Sequence, residues 1–169
     1  MLLKEIMIAK IGLGGGCHWC TEAVFQALAG VTEVVQGYIK SNPPHDSYSE
    51  AVIVHYETKQ ISLYQLISVH VMTHSSTSNH LLRSRYRSAV YFFDPEQQKE
   101  IQQILKYLEK ENLIRLVTQI LAFVRFKHSR PEIQNYFDQN PEKPFCTKYI
   151  HPKLELLKKD FSELVKDNQ

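Results

Sequence analysis

Four of the chain's six glycines stand at positions 12, 14, 15 and 16, directly before Cys17-His18-Trp19-Cys20. Glycine permits positive φ and close backbone approach, so this cluster describes a constrained turn. Residues 5–13 before it are rich in apolar and β-branched side chains and predict a largely buried strand. Residues 17–29 after it place Cys20, Val24, Ala27 and Leu28 at helical spacing, with Gly30 as the C-terminal stop. The chain therefore opens as strand, tight turn and helix. Two nucleotide-binding readings of the turn fail. A dinucleotide fingerprint needs glycine where Cys17 stands, and a phosphate loop needs Gly-Lys-Ser/Thr after the turn.

Further along, Val31–Ile39 and Ala51–Tyr56 read as strands around the turn-rich segment Ser41–Asp46. Ser62–Thr73 is helical, with Leu63, Leu66, Ile67 and Val71 on one face. Ser88–Phe93 is a strand, and Asp94-Pro95 opens a helix over 95–111. Leu116–Phe126 is strand-like, 129–138 is a short amphipathic segment, and Pro152–Lys166 is a closing amphipathic helix. Strands and helices alternate without a linker, so residues 1–169 are expected to form one domain, an α+β two-layer sandwich. Twenty basic and eighteen acidic residues leave a net charge of +2, which gives no electrostatic basis for nucleic-acid or membrane binding. No apolar run approaches the roughly 20 residues of a membrane span. The first residues lack the pattern of a signal peptide, so a cytoplasmic location is expected, and a monomer.

The three cysteines, Cys17, Cys20 and Cys146, are too few for a disulfide scaffold. Cys17 falls at the first turn of its helix, where unpaired N–H groups and the helix dipole stabilise an anion. A thiol so placed is a candidate nucleophile whose reactive thiolate is available at neutral pH. Cys20 lies three residues on, within reach of a redox pair and also on the apolar stripe of the helix. Zinc would require a second close pair of ligands, which Cys146 and His151 do not make. No metal is expected.

Gly16-Cys17-His18-Trp19-Cys20-Thr21-Glu22 resembles the Gly-Cys-Phe-Trp-x-x-Glu signature of the A-type peptide methionine sulfoxide reductases. Gly30-Val31 through Gly37-Tyr38, Tyr86–Tyr91, Gln134-Asn135-Tyr136, Asn140-Pro141, Pro144-Phe145-Cys146 and Pro152-Lys153-Leu154 are similar to further family segments, in the family's order. The resemblance implies the family's ferredoxin-like sandwich, or roll, and reduction of the S epimer of methionine sulfoxide, free or in oxidised proteins. By that resemblance Cys17 attacks the sulfoxide sulfur and becomes a sulfenic acid. Glu50, in Tyr48-Ser49-Glu50-Ala51-Val52, matches the acid that protonates the oxygen. Cys146 or Cys20 then forms a disulfide, which thioredoxin or another dithiol reduces, with no bound cofactor. His18, Trp19, Tyr86 and Tyr48 match substrate-binding positions.

The departures fall around that pocket. His18 stands in place of the family's Phe, and the segment between Tyr38 and Glu50 is shorter than the family's. Residues 75–85 lack the family's Gly-Asn-Asp-x-Gly run, so Leu81 or a neighbour occupies the place of its aspartate. No glycine follows Gly37. Two other readings remain open at this stage. One is a catalytically weakened relative that binds oxidised peptide or a partner, and the other is a thiol–disulfide oxidoreductase using Cys17 and Cys20.

Overall fold

The computed structural model describes residues 5–79 and 82–167. Strand β1 (Ile8–Gly14) leads through the glycine turn into helix α1 (His18–Gln26), followed by β2 (Val31–Lys40) and β3 (Ser49–Glu57). Helix α2 (Leu63–Thr73), strand β4 (Ala89–Phe92) and helix α3 (Pro95–Asn112) come next. Strands β5 (Gln119–Ala122) and β6 (Arg125–His128), the short helix α4 (Tyr136–Gln139) and helix α5 (His151–Asp160) complete the chain. Local signals start the long helices as expected. Ser62 and Gln65 form a reciprocal capping box on α2, and the Asp94 carboxylate accepts from the Gln97 N–H before Pro95.

The strands lie in one sheet in the order β5-β4-β1-β3-β2-β6. Strand β3 runs antiparallel to both β1 and β2, and β4 antiparallel to β1. That inner order, 4-1-3-2 with helices α1 and α2 as crossovers, is the ferredoxin-like arrangement. The sheet's helix-facing side buries Ile11, Leu13, Val52, Val54 and Val90 against Val24 and Phe25 of α1, Leu28 just beyond it, Leu66 and Ile67 of α2, Ile101 and Leu105 of α3, and Leu157 of α5.

The expected strand over 116–126 is instead two, β5 and β6, at opposite edges of the sheet. Five strand spacings in a flat sheet would hold those edges roughly 24 Å apart. Only Phe123 and Val124 join the two strands, a link of at most about 11 Å. The sheet must therefore curl until its edges meet. Its inner face closes on Ile39, Ala51, Ile53, Ala89 and Tyr91, packed with Phe93, Leu121, Phe123 and Phe126. Gly37 lies where β6 comes down on β2, and a Cβ there would sit 2.2 Å from the Lys127 carbonyl oxygen. The curl thus requires glycine at that position.

Three boundaries differ from expectation. Helix α1 ends at Gln26 with Ala27 as its cap, before Gly30, which turns the chain into β2 with φ +90°. The first residues of β1 are exposed, and burial begins at Ile11. Helix α5 is preceded by a wide helical turn, Cys146–Ile150, and stops at Asp160. Beyond it Val165 bridges to Leu28.

Candidate active site

Strand register brings the site together. Gly14, the last residue of β1, is opposite Ala51 of β3 and Ala89 of β4, while Glu50 is opposite Tyr38 of β2. The turn carrying Cys17, the start of β3 and the approach to β4 therefore converge. Ser49 fixes the last of these, donating to the Arg85 carbonyl at 2.9 Å and accepting from the Arg87 N–H at 2.8 Å.

Cys17 is the N-cap residue of α1 and is half-buried. Its thiol is held below the usual range, first by the Cys20 S–H, which donates to it, and then by the backbone N–H groups of Trp19 and Cys20. Burial and the nearby Glu50 charge oppose this without overturning it. The same contact pushes Cys20 well up, with burial and the Cys17 charge adding to the effect. The neighbours are thus an activated thiol and a protonated donor. Beside them is a cavity of about 140 Å³ lined by Gly15, Cys17, Cys20, His70, His74 and Lys153. His74 packs so tightly on the glycine turn that a Cβ at Gly15 would lie 2.5 Å from its Cδ2.

Glu50 is buried, at 4% exposure, and crowded with hydrogen-bonding groups. Its Oε1 lies 3.3 Å from both the His18 backbone nitrogen and His18 Nε2. Its Oε2 accepts from Arg85 Nε at 3.0 Å. The Arg85 guanidinium also lies over the Tyr86 ring, 5.1 Å from its centroid. Burial pushes the half-buried Tyr86 phenol up, so its O–H remains a donor at neutral pH. Tyr48, just before β3, is exposed, with its ring under the Lys40 ammonium. The tyrosine that meets His18, edge to face at 5.1 Å, is Tyr38. Tyr38 and Arg85 are site residues that sequence reasoning missed. The cross-strand position of Tyr38 against Glu50 required the register, and Arg85 sits in a segment without a family counterpart.

A sequence-family profile described as peptide methionine sulfoxide reductase matches residues 9–165. The chain belongs to the peptide methionine sulfoxide reductase family. It is 33% identical to the peptide methionine sulfoxide reductase MsrA of Trichodesmium erythraeum, over 94% of this chain and 99% of that protein. It is 32% identical to the MsrA of Acinetobacter baumannii, over 91% and 96% of the two chains. Reduced Mxr1 of Saccharomyces cerevisiae shares the fold with a TM-score of 0.70 at 22% identity, covering 86% of this chain and 96% of that one. Methionine sulfoxide reductase A of Corynebacterium diphtheriae gives 0.69 at 23% identity, covering 80% of this chain and 76% of that one.

Within the signature that defines the family here, Glu22 is wholly buried and accepts from the backbone N–H groups of Asn135 at 3.0 Å and Tyr136 at 3.1 Å. Burial pushes its carboxyl up, and those two N–H groups oppose the shift. The bonds deliver Tyr136 onto Trp19, where the rings stack at 4.0 Å with Phe145 edge-on at 5.1 Å. Trp19 is thus half-buried between two aromatic rings beside Cys17. Cys146 is fully buried in one cluster with Cys20, Ala23 and Ile150, against which Cys17 packs. All three cysteines share that cluster.

The segment that lacks the family's Gly-Asn-Asp-x-Gly run is secured by Arg83. Its guanidinium donates to the carbonyls of Gly15 at 3.2 Å, Tyr86 at 2.9 Å and Ser78 at 2.7 Å, and also to that of Ser75. Leu81, expected in place of the family's aspartate, lies outside the described residues. Among the described residues no group of three or more His, Cys, Asp or Glu side chains could hold a metal ion. No helix there is long and apolar enough to cross a membrane.

Proposed function

We infer that this protein reduces methionine S-sulfoxide, in peptides or as the free amino acid, by thiol chemistry at Cys17. The observation that carries the reading is the activated Cys17 thiol at the head of α1, within the electrostatic reach of buried Glu50. In the reaction, the Cys17 thiolate attacks the sulfoxide sulfur and a proton from Glu50 goes to the oxygen. The S–O bond breaks, the departing oxygen bonds to the Cys17 sulfur as the transient Cys17–methionine S–S bond breaks, and methionine leaves with Cys17 as a sulfenic acid. Tyr86 donates to the sulfoxide oxygen, and Trp19 forms an apolar wall for the methyl group.

Cys20 is the resolving thiol best supported, because its S–H is already hydrogen-bonded to Cys17. Once Cys17 is a neutral sulfenic acid, the charge and hydrogen bond that hold Cys20 protonated are gone. Its sulfur then attacks, releasing water and forming a disulfide. Cys146, buried in the same cluster, is positioned to take over that disulfide. A thioredoxin-type dithiol completes the cycle, and a structural relative, yeast Mxr1, has been crystallised with Trx2. The whole reaction converts one sulfoxide and one dithiol to methionine, water and one disulfide.

The test is turnover of an S-sulfoxide peptide with dithiothreitol or thioredoxin, in the wild type and in Cys17→Ser. Loss of all turnover in the variant is expected, and undiminished turnover refutes the reading.

A further inference from the structure

His18 stands where the family carries a phenylalanine, and it is buried, at 3% exposure, against the proposed acid. Its hydrogen bonds restrict where protons can be. Nδ1 lies 2.7 Å from the carbonyl oxygen of Gly37, which can only accept, so Nδ1 carries a hydrogen. In a neutral imidazole Nε2 then bears a lone pair. That lone pair faces Glu50 Oε1 at 3.3 Å, and two bare acceptors at this distance in a buried site repel. The repulsion is removed by one proton between them, either on the carboxyl or on the imidazole. Burial holds the His18 imidazolium below its usual range, which favours the carboxyl side.

We propose that His18 and Glu50 hold one proton between them, and that His18 is a positioning residue that retains this proton for delivery to the substrate oxygen. The delivery step rests on the reductase reading above, whereas the shared proton does not. The remaining charged or titratable groups around the pair are Arg85, from the segment before β4, with Tyr86 beside it, Tyr38 from β2 and Cys17 from the head of α1. Arg85 on Oε2 favours the bare carboxylate and His18 opposes it. Deprotonating the pair leaves a carboxylate facing a lone pair, and that repulsion opposes loss of the shared proton. After delivery the carboxylate remains paired with Arg85, and the pair regains its proton from solvent.

Two measurements test this on the full reduced protein. The first is nitrogen-15 and carbon-13 NMR of His18 and Glu50 through a pH titration, without substrate. A protonated Nδ1 and one titration step reported together by Nε2 and the Glu50 carboxyl are expected. An unprotonated Nδ1, or independent titrations, overturns the proposal whether or not the protein turns over. The second is the pH profile of kcat/KM for His18→Phe, with folding checked by circular dichroism. Its alkaline limb is expected to move down by about one pH unit, so that kcat/KM above the limb falls roughly tenfold while the acid-side value is less affected. A limb that stays in place while only the height changes means that His18 merely packs. If neither protein turns over but the joint titration is seen, the pair stands and the reductase reading falls.

Discussion

Replacing Glu22 by glutamine separates its charge and second acceptor from its shape. The wild-type carboxylate gives one oxygen to the Asn135 N–H and the other to the Tyr136 N–H. An amide has one acceptor oxygen, so Glu22→Gln leaves one buried N–H facing an NH₂ group. A hydrogen bond to a charged group contributes about 1.5–3 kcal/mol, and a buried donor left without a partner costs about 1–3 kcal/mol. Removing a carboxylate whose burial already opposes ionisation offsets part of that loss. The net cost is about 1–3 kcal/mol. For a chain of 169 residues each kcal/mol lowers Tm by roughly 2–4 °C, so a fall of about 2–12 °C is expected.

Trp19 is the only tryptophan, and its ring stacks on Tyr136, so intrinsic fluorescence reports on the same contact. Thermal unfolding followed by circular dichroism should show the lower Tm. Tryptophan emission should move to the red at temperatures below the global transition, as residues 135–136 come away from Trp19. Wild-type Tm and wild-type emission in Glu22→Gln would refute the argument that Glu22 places Tyr136 on Trp19.

Alkylation of Cys17 by iodoacetamide should follow its thiolate, with a midpoint below the ordinary thiol value of 9.0. Because the Cys20 S–H is the largest cause of that lowering, Cys20→Ala should move the midpoint up while Cys20→Ser moves it less; equal midpoints in all three proteins would refute the assignment. His74 accepts or donates at Ser88 at 2.8 Å, and burial lowers its pKa from 6.5 to about 4. The unfolded chain takes up this proton between those values while the native state does not, so stability is present above pH 6.5 and lost as pH falls towards about 4. Urea unfolding across that window should show a loss on the order of 3 kcal/mol from this histidine. The slope should flatten in His74→Gln, and parallel curves for the two proteins would count against it.

Local chemistry made much of this protein legible before any tertiary contact was known. The glycine cluster predicted the strand-to-helix turn and put Cys17 at the head of α1. Apolar periodicity located α2 and α3, and Asp94-Pro95 and Ser62 marked their starts, because caps and amphipathic faces are properties of a few neighbouring residues. Signature residues pointed to Glu50, and the structure brings it against His18, 32 positions earlier in the chain.

Other features were settled only by strand register and closure. Residues 120–124 are an unbroken apolar run, so the pattern cannot show that Phe123 and Val124 are a corner between opposite sheet edges. Nothing local distinguishes Tyr48 from Tyr38 as the ring beside His18 and Glu50. Pairing Tyr38 with Glu50 decides it, since a one-residue slip would turn either side chain to the other face. Glu22 reads as an ordinary helix residue until residues 135–136 return to it from more than a hundred positions away. The thiol's place at the turn is therefore a matter of local sequence. The Cys20 and backbone groups that lower its pKa are local too, whereas Glu50 and the Tyr136 and Phe145 rings around Trp19 meet there only when the sheet curls and the chain returns.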